Sequence, residues 1–358
     1  MARAAKAAGF DVHVATRVDR HGLAIESEGF VLHPLDWRRG SVDPRHIFSM
    51  IKEVRAVYRR AQPKIAHHVA LVPTIVGSIA ALGLPIESLN ALAGLGFAFA
   101  SQTLRAKVFR FFVERVLILL LSRNSSIALV QNPDDKAFLQ SLGLTEQQIV
   151  LIHGSGVDTV ALVPLPEPPG PITIGFVGRL LKDKGVEELF AAQGLLRQRG
   201  LLVNLLVAGD RDPANPASIS DEELEDWKGH PGVSILGHVK DISAFWAKAH
   251  IAVLPSYREG LPLSLLEAAA CGRPLVATDV PGCREIARNN LNALTVPPRD
   301  ANALANAIAL LSHDREMRRR FAAEGRALVE SAFSAQRIAN EITRLYGRLL
   351  KKGLAGNA

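Results

Sequence analysis

The sequence has little cysteine, few aromatic residues and no long uninterrupted apolar run, and each shortage removes a class of protein. Two cysteines in 358 residues, Cys271 and Cys283, build neither a disulfide framework nor a zinc site by themselves. Both are expected to be reduced, which points to a cytoplasmic protein. Aromatic residues make up 6% of the chain and are not interleaved with a basic groove, so nucleic acid is not an expected partner. The most apolar stretch, Phe111 to Leu121, is interrupted by Glu114 and Arg115 and falls short of the roughly 20 apolar residues of a membrane span. Met1 to Gly9 is rich in alanine but has no apolar stretch ahead of a cleavage site, unlike a secretory leader. Tandem repeats and low-complexity tracts are missing as well.

What is present is the composition of a folded protein, 48% hydrophobic and 22% charged, at a length that suits two α/β domains. The net charge of +7 is unevenly spread: +5 over residues 1–165, −3 over 166–312 and +5 over 313–358. In the first of these regions Arg105, Lys107, Arg110, Arg115 and Arg123 surround Phe109, Phe111, Phe112 and Leu117 to Leu121. That pattern suits first a core helix with solvated arginines, and the lesser alternative is a helix lying against an anionic membrane surface.

Short apolar runs alternate with longer amphipathic ones, the pattern of parallel sheets covered by helices. Strands are expected at Asp11–Thr16, Ile65–His68, Ser126–Gln131, Ile149–Ile152, Ile172–Val177, Leu202–Gly209, Val233–Leu236, Ile251–Leu254, Leu275–Ala277 and Ala293–Val296. Five prolines fall within Val163–Pro171, a stretch that cannot form a helix interior or a central strand. The expected division is therefore a first domain over 1–163, a linker over 164–171, a second domain over 172–333, and a final helix over 334–358 that packs back toward the first domain. A doubly wound domain opens with its central strand and a glycine-rich turn. Here the chain opens with an alanine-rich helix, so the first domain is expected to lack that strand.

The chemistry is concentrated in the second domain. The run Ile172-Thr-Ile-Gly-Phe-Val-Gly178-Arg179-Leu-Leu-Lys-Asp-Lys184-Gly185 reads as a strand, a glycine exit and two cations flanking a loop that opens a helix. Backbone amides, a helix dipole and paired positive side chains together describe a site for a diphosphate, the alternative being a solvated basic loop. Further on, a strand ends at Pro255, a loop carries Glu259-Gly260, and a helix opens near Pro262 and contains Glu267. Gly260 leaves backbone amides accessible between the two carboxylates. Glu267 lies three residues after Ser264, so a capping box is its structural alternative; Glu259 has none. Asp210-Arg211-Asp212 has the form of a metal-binding pair but follows a strand in a proline-containing loop, and it is read as loop rather than as a metal site.

Gly178-Arg179, Lys184-Gly185, Ser256-x-x-Glu259-Gly260-Leu261-Pro262, Leu266-Glu267-Ala268, Gly272-x-Pro274, Ala277-Thr278 and Gly282-x-x-Glu285-Ile286, taken together, resemble the retaining nucleotide-sugar glycosyltransferases of family 4. The similarity spans nearly the whole chain. Leu89 to Gly96, Gln131 to Asp135 and Gly154 to Asp158 are similar to the bacterial branch that acts on lipid-linked sugars. The resemblance implies a GT-B fold, two Rossmann-like doubly wound domains facing a cleft. It also implies transfer of a hexose or N-acetylhexosamine from a nucleotide diphosphate sugar to a lipid-linked saccharide, without a metal or other cofactor. Arg179 and Lys184 would bind the diphosphate and stabilise charge on the leaving nucleotide. Glu259 would contact sugar hydroxyls and Glu267 the ribose hydroxyls, with the amides from Gly260 through Leu261 to Pro262 near sugar and phosphate. In the first domain His67 or His68 would reach the donor sugar. Leu263 and Val72 stand where many relatives carry a basic residue, which points to a different sugar or acceptor. Two other readings remain from sequence: a nucleotide-sugar epimerase of the same architecture, and a truncated nucleotide-sugar-binding remnant without turnover.

Overall fold

The structure is a computed structural model, and it describes residues 1–18, 21–37, 43–92 and 104–355. The chain separates into two compact units, Met1–Ser155 with Gln336–Ala358, and Gly156–Ala335. Each has parallel strands and covering helices, and each is Rossmann-like.

In the first unit, β1 (His13–Thr16) pairs in parallel with β2 (Val31–Pro34), His13 opposite Val31. A separate four-stranded parallel sheet runs in the order β3 (Ile65–Val69), β4 (Glu87–Ala91), β5 (Ser126–Val130), β6 (Ile149–Leu151). No ladder joins β1 to β3 among the described residues. Period-two alternation sends Leu89, Ala91, Ile127 and Leu129 to one face, where the C-terminal helix Ala335–Ala355 covers them with Ile338, Ile342, Leu345, Tyr346 and Leu349. Ala128 and Val130 go to the other face, against Leu117, Leu121 and Leu139.

Two strands escaped the sequence reading. β4 contains Ser88 and Asn90, polar residues that hide its buried character. Asn90 is fully buried because its side-chain carbonyl meets His68 Nδ1 at 2.7 Å and accepts from Ser78 at 3.1 Å, while its amide donates to Ser126 at 2.9 Å. β2 is four residues long, half exposed and closed by Pro34, which leaves little periodicity to detect.

The second unit has one six-stranded parallel sheet in the order β12-β11-β10-β7-β8-β9. Its strands are β7 (Thr173–Val177), β8 (Asn204–Ala208), β9 (Val233–Ile235), β10 (Ile251–Leu254), β11 (Leu275–Thr278) and β12 (Ala293–Val296). The chain order reverses between β7 and its neighbour β10, the switch point at whose carboxyl ends doubly wound sheets bind their ligands.

The units divide at Ser155/Gly156, ahead of the proline-rich stretch, which runs along the second unit. Prolines lack an N–H but keep their carbonyls, and here arginines supply the missing donors. Arg273 donates to the Pro166 carbonyl at 2.9 Å, and Arg326 to the carbonyls of Thr159 at 2.8 Å and Leu162 at 2.5 Å. Arg318 forms a two-pronged pair with Glu167, both bonds at 2.9 Å. At the two crossings, Val157 and Ser334 form a parallel bridge: Val157 N–H donates to Phe333 at 2.9 Å and Ala335 N–H to Val157 at 2.8 Å.

Candidate active site

The site in the second unit starts from backbone geometry. At the end of β7, Gly178 N–H donates to the Ala208 carbonyl at 3.0 Å. The close approach there requires glycine at Gly209, where φ is +144° and a Cβ would overlap the Gly178 carbonyl. Gly178 itself has no positive φ, and its tight neighbour is the Phe176 ring, 3.1 Å from where a Cβ would stand. Leu180 and Leu181 then anchor the chain in the core, leaving Arg179 and Lys184 to either side. A short 3-10 turn, Lys182–Lys184, leads into Gly185 at φ +70°, packed against the Pro255 carbonyl at the end of β10, and the helix Val186–Gln198 begins.

From β10 the loop comes back onto this turn. Tyr257 N–H donates to the Asp183 carbonyl at 2.9 Å, and the Tyr257 hydroxyl donates to Glu188 at 2.6 Å. Thr278 donates to the Ser256 carbonyl. So held, Glu259 receives Lys184 Nζ at 2.5 Å and the Ser256 hydroxyl at 2.6 Å, both on Oε1. Oε2 takes no hydrogen bond among the described residues. Gly282, at φ +79°, packs against the carbonyls of Glu259 and Gly260. Leu261 packs on the core, Pro262 is buried, and the helix Leu263–Ala270 starts behind them.

No capping box forms on that helix: its N-cap is Pro262, with no side-chain cap bond. Glu267 is therefore half-buried with neither carboxylate oxygen bonded among the described residues, and burial pushes its carboxyl up to about 7. Asp183 is also held above the usual carboxylate range by burial, against the opposing pull of Lys184 and Arg179. The Asp210-Arg211-Asp212 loop is tied down: Arg211 pairs with Asp221 and donates to the Ile219 carbonyl, and Asp212 pairs with Arg179 at 2.7 Å. Among the described residues no group of three or more His, Cys, Asp or Glu side chains is arranged to hold a metal ion.

The structure thus brings Gly178, Arg179, Lys184, Glu259, Gly260, Leu261, Pro262 and Glu267 to the carboxyl ends of β7 and β10. His67 and His68 lie in the first unit. His67 Nδ1 meets the Tyr346 hydroxyl at 2.6 Å, its Nε2 is buried without a partner, and burial lowers the ring to about 4. His68 is buried between the Tyr58 hydroxyl and Asn90, each at 2.7 Å, beneath Gly77, where a Cβ would overlap its ring. Residues 93–96 of the first-domain resemblance lie outside the described residues. Sequence reasoning did not single out Ser256 as the partner of Glu259, although the three-residue spacing on a turn was a usable signal. Asp212 belongs to the loop that the sequence marks only as a surface turn.

Two family models match, "Glycosyl transferase 4-like" over residues 1–131 and "Glycosyl transferases group 1" over residues 171–314. The N,N'-diacetylbacillosaminyl-diphospho-undecaprenol alpha-1,3-N-acetylgalactosaminyltransferase of Campylobacter jejuni is 27% identical over 356 residues, covering 95% of this chain and 92% of that protein. Among solved structures, the sucrose-phosphate synthase of Thermosynechococcus elongatus superposes with a TM-score of 0.83 at 24% identity, over 98% of this chain and 92% of that one. The Anabaena HepE protein in complex with UDP-glucose gives 0.77 at 18% identity, over 97% and 94%. At these identities the two structures speak for the fold, and the sequence models, which together span most of the chain, speak for the family: the chain belongs to the glycosyltransferases of the group 1, 4-like type, with the GT-B fold.

Proposed function

We propose that this glycosyltransferase moves a hexose or N-acetylhexosamine, with retention, from a nucleotide diphosphate sugar to a lipid-linked saccharide in the synthesis of a cell-surface polysaccharide or glycan. The observation that carries the donor half is the pair of cations, Arg179 and Lys184, at the carboxyl ends of two switch-point strands, beside carboxylates with unfilled acceptors. Two positive side chains and the adjacent turn amides neutralise a leaving diphosphate, the largest electrostatic demand of the reaction, without calling on a metal. Glu259 Oε2 and Glu267 are left to accept from sugar and ribose hydroxyls. The acceptor half is supported by the Campylobacter relative, whose name specifies an undecaprenol diphosphate-linked sugar.

The test is saturation-transfer NMR of the chain with UDP-, GDP- and ADP-sugars in EDTA, repeated with Arg179→Ala and Glu267→Ala. One donor is expected to bind selectively and to lose its signal in both variants. A folded protein that binds none of them ends the donor-site reading.

We further infer a peripheral contact with an anionic membrane face. Among the described residues no helix is long and apolar enough to cross a membrane. On the helix Leu104–Leu121, however, Phe112 and Leu119 are 63% and 73% exposed, alongside exposed Phe111 and Val116, with Arg115 stacked 4.8 Å from the Phe111 ring. Phe112, Val116 and Leu119 recur at helical spacing, and the arginine offers charge to lipid phosphates. The chain should sediment with phosphatidylglycerol vesicles and stay in solution with phosphatidylcholine ones, and Phe112→Ser with Leu119→Ser should abolish the sedimentation. Equal binding to both vesicle types, or to neither, removes this partner.

A further inference from the structure

Arg179 is placed at the donor phosphates by the reading above, but a long, mobile cation binds a phosphate well only if something fixes its direction. The structure supplies that something from a different loop. Asp212 Oδ2 accepts from Arg179 at 2.7 Å, across 33 positions of sequence. The pair is stacked inside to outside: the Asp212 side chain is 15% exposed and that of Arg179 is 43% exposed. The guanidinium is thus the more exposed partner of the pair. Only one terminal nitrogen of Arg179 is engaged, and Nε and the second terminal nitrogen have no partner among the described residues. A guanidinium held by one prong keeps its remaining donors for a bidentate phosphate contact.

Asp212 is itself rigidly carried. Its N–H donates to Ser218 Oγ at 3.2 Å, its carbonyl receives Asn215 N–H at 2.7 Å, and Ser218 pairs across an antiparallel bridge with Leu181. Leu180 N–H donates to the Asp210 carbonyl at 3.0 Å and Lys182 N–H to the Ala217 carbonyl at 2.8 Å. The loop that holds the carboxylate and the segment that holds the arginine are thus laced together on both sides of the ion pair.

We propose that Asp212 is a positioning residue that orients Arg179 toward the donor diphosphate. This rests on the donor-site reading of Arg179. The test is calorimetric titration of the full chain with UDP, GDP and ADP, with the parent nucleoside followed by saturation-transfer NMR, for Asp212→Ala, Asp212→Asn, Arg179→Ala and the Arg179→Ala, Asp212→Ala double variant. Thermal melts accompany each. Asp212→Ala should weaken the preferred diphosphate about tenfold and leave the nucleoside unchanged. Asp212→Asn, which keeps an acceptor in place, should recover part of the loss, and Asp212→Ala should add nothing once Arg179 is gone. Tighter diphosphate binding in Asp212→Ala would make the carboxylate a competitor of the donor and overturn the proposal. So would an equal loss for diphosphate and nucleoside, unchanged affinity, or additive effects in the double variant. If Arg179→Ala alone leaves diphosphate affinity intact, or the folded parent binds no nucleotide, the donor-site reading fails first and the role of Asp212 falls with it.

Discussion

Glu267 carries the clearest physical signature of any single residue in the site. Its carboxyl is raised from 4.5 to about 7 by burial, so the folded chain prefers the protonated form between those values. The stability this gives is complete below about pH 4.5 and lost as pH rises through about 7. Glu267→Gln, which cannot ionise, should match the parent near pH 4.5 and exceed it at pH 8 by on the order of 3 kcal/mol. Melting curves of both proteins across that range test it, and a constant difference at all pH values would contradict the assignment. The same substitution should weaken donor binding above pH 7, where the parent's carboxylate accepts from hydroxyls. Glu259 and Glu267 were both readable in the sequence, because a loop carboxylate beside a glycine and a second one in the following helix are local patterns. Asp212 was not, since its significance depends on a partner in another loop that only the fold brings near.

Among the elements, the turn from β7 into the helix Val186–Gln198 shows how little freedom the site's frame has. Gly185 combines φ +70° with direct packing on the Pro255 carbonyl, so Gly185→Ala meets both backbone strain and a clash with another main chain. A loss of at least about 2 kcal/mol is expected in urea unfolding. Gly194 in the same helix has nothing within 4 Å of a would-be Cβ, and Gly194→Ala should stabilise by up to about 1 kcal/mol. If both substitutions behave alike, the strain is not where the geometry puts it. Strands of the second unit were legible because apolar runs such as Ile251–Leu254 are buried on both faces. β4 was not legible, because its burial depends on the His68, Ser78 and Ser126 side chains that satisfy Asn90, and hydropathy does not register a paired polar group.

For the molecule as a whole, the proline-rich stretch is held by long-range side-chain bonds. Five prolines between Val163 and Pro171 read as a linker, and arginines from two places, Arg273 ahead of β11 and Arg318 and Arg326 on the helix Arg315–Ala332, fasten this stretch and its approach to the second unit. The donors come from residues more than a hundred positions away, which no window along the sequence could reveal. The compact units meet at Ser155/Gly156 and again at Ala335/Gln336. That second crossing has a consequence for the order of assembly. Ile338, Ile342, Leu345 and Leu349, which cover one face of the first unit's sheet, are translated only after the entire second unit. Although it begins to emerge first from the ribosome, the amino-terminal sheet must wait with that apolar face open until the carboxyl-terminal helix arrives, so the unit made first is the one finished last.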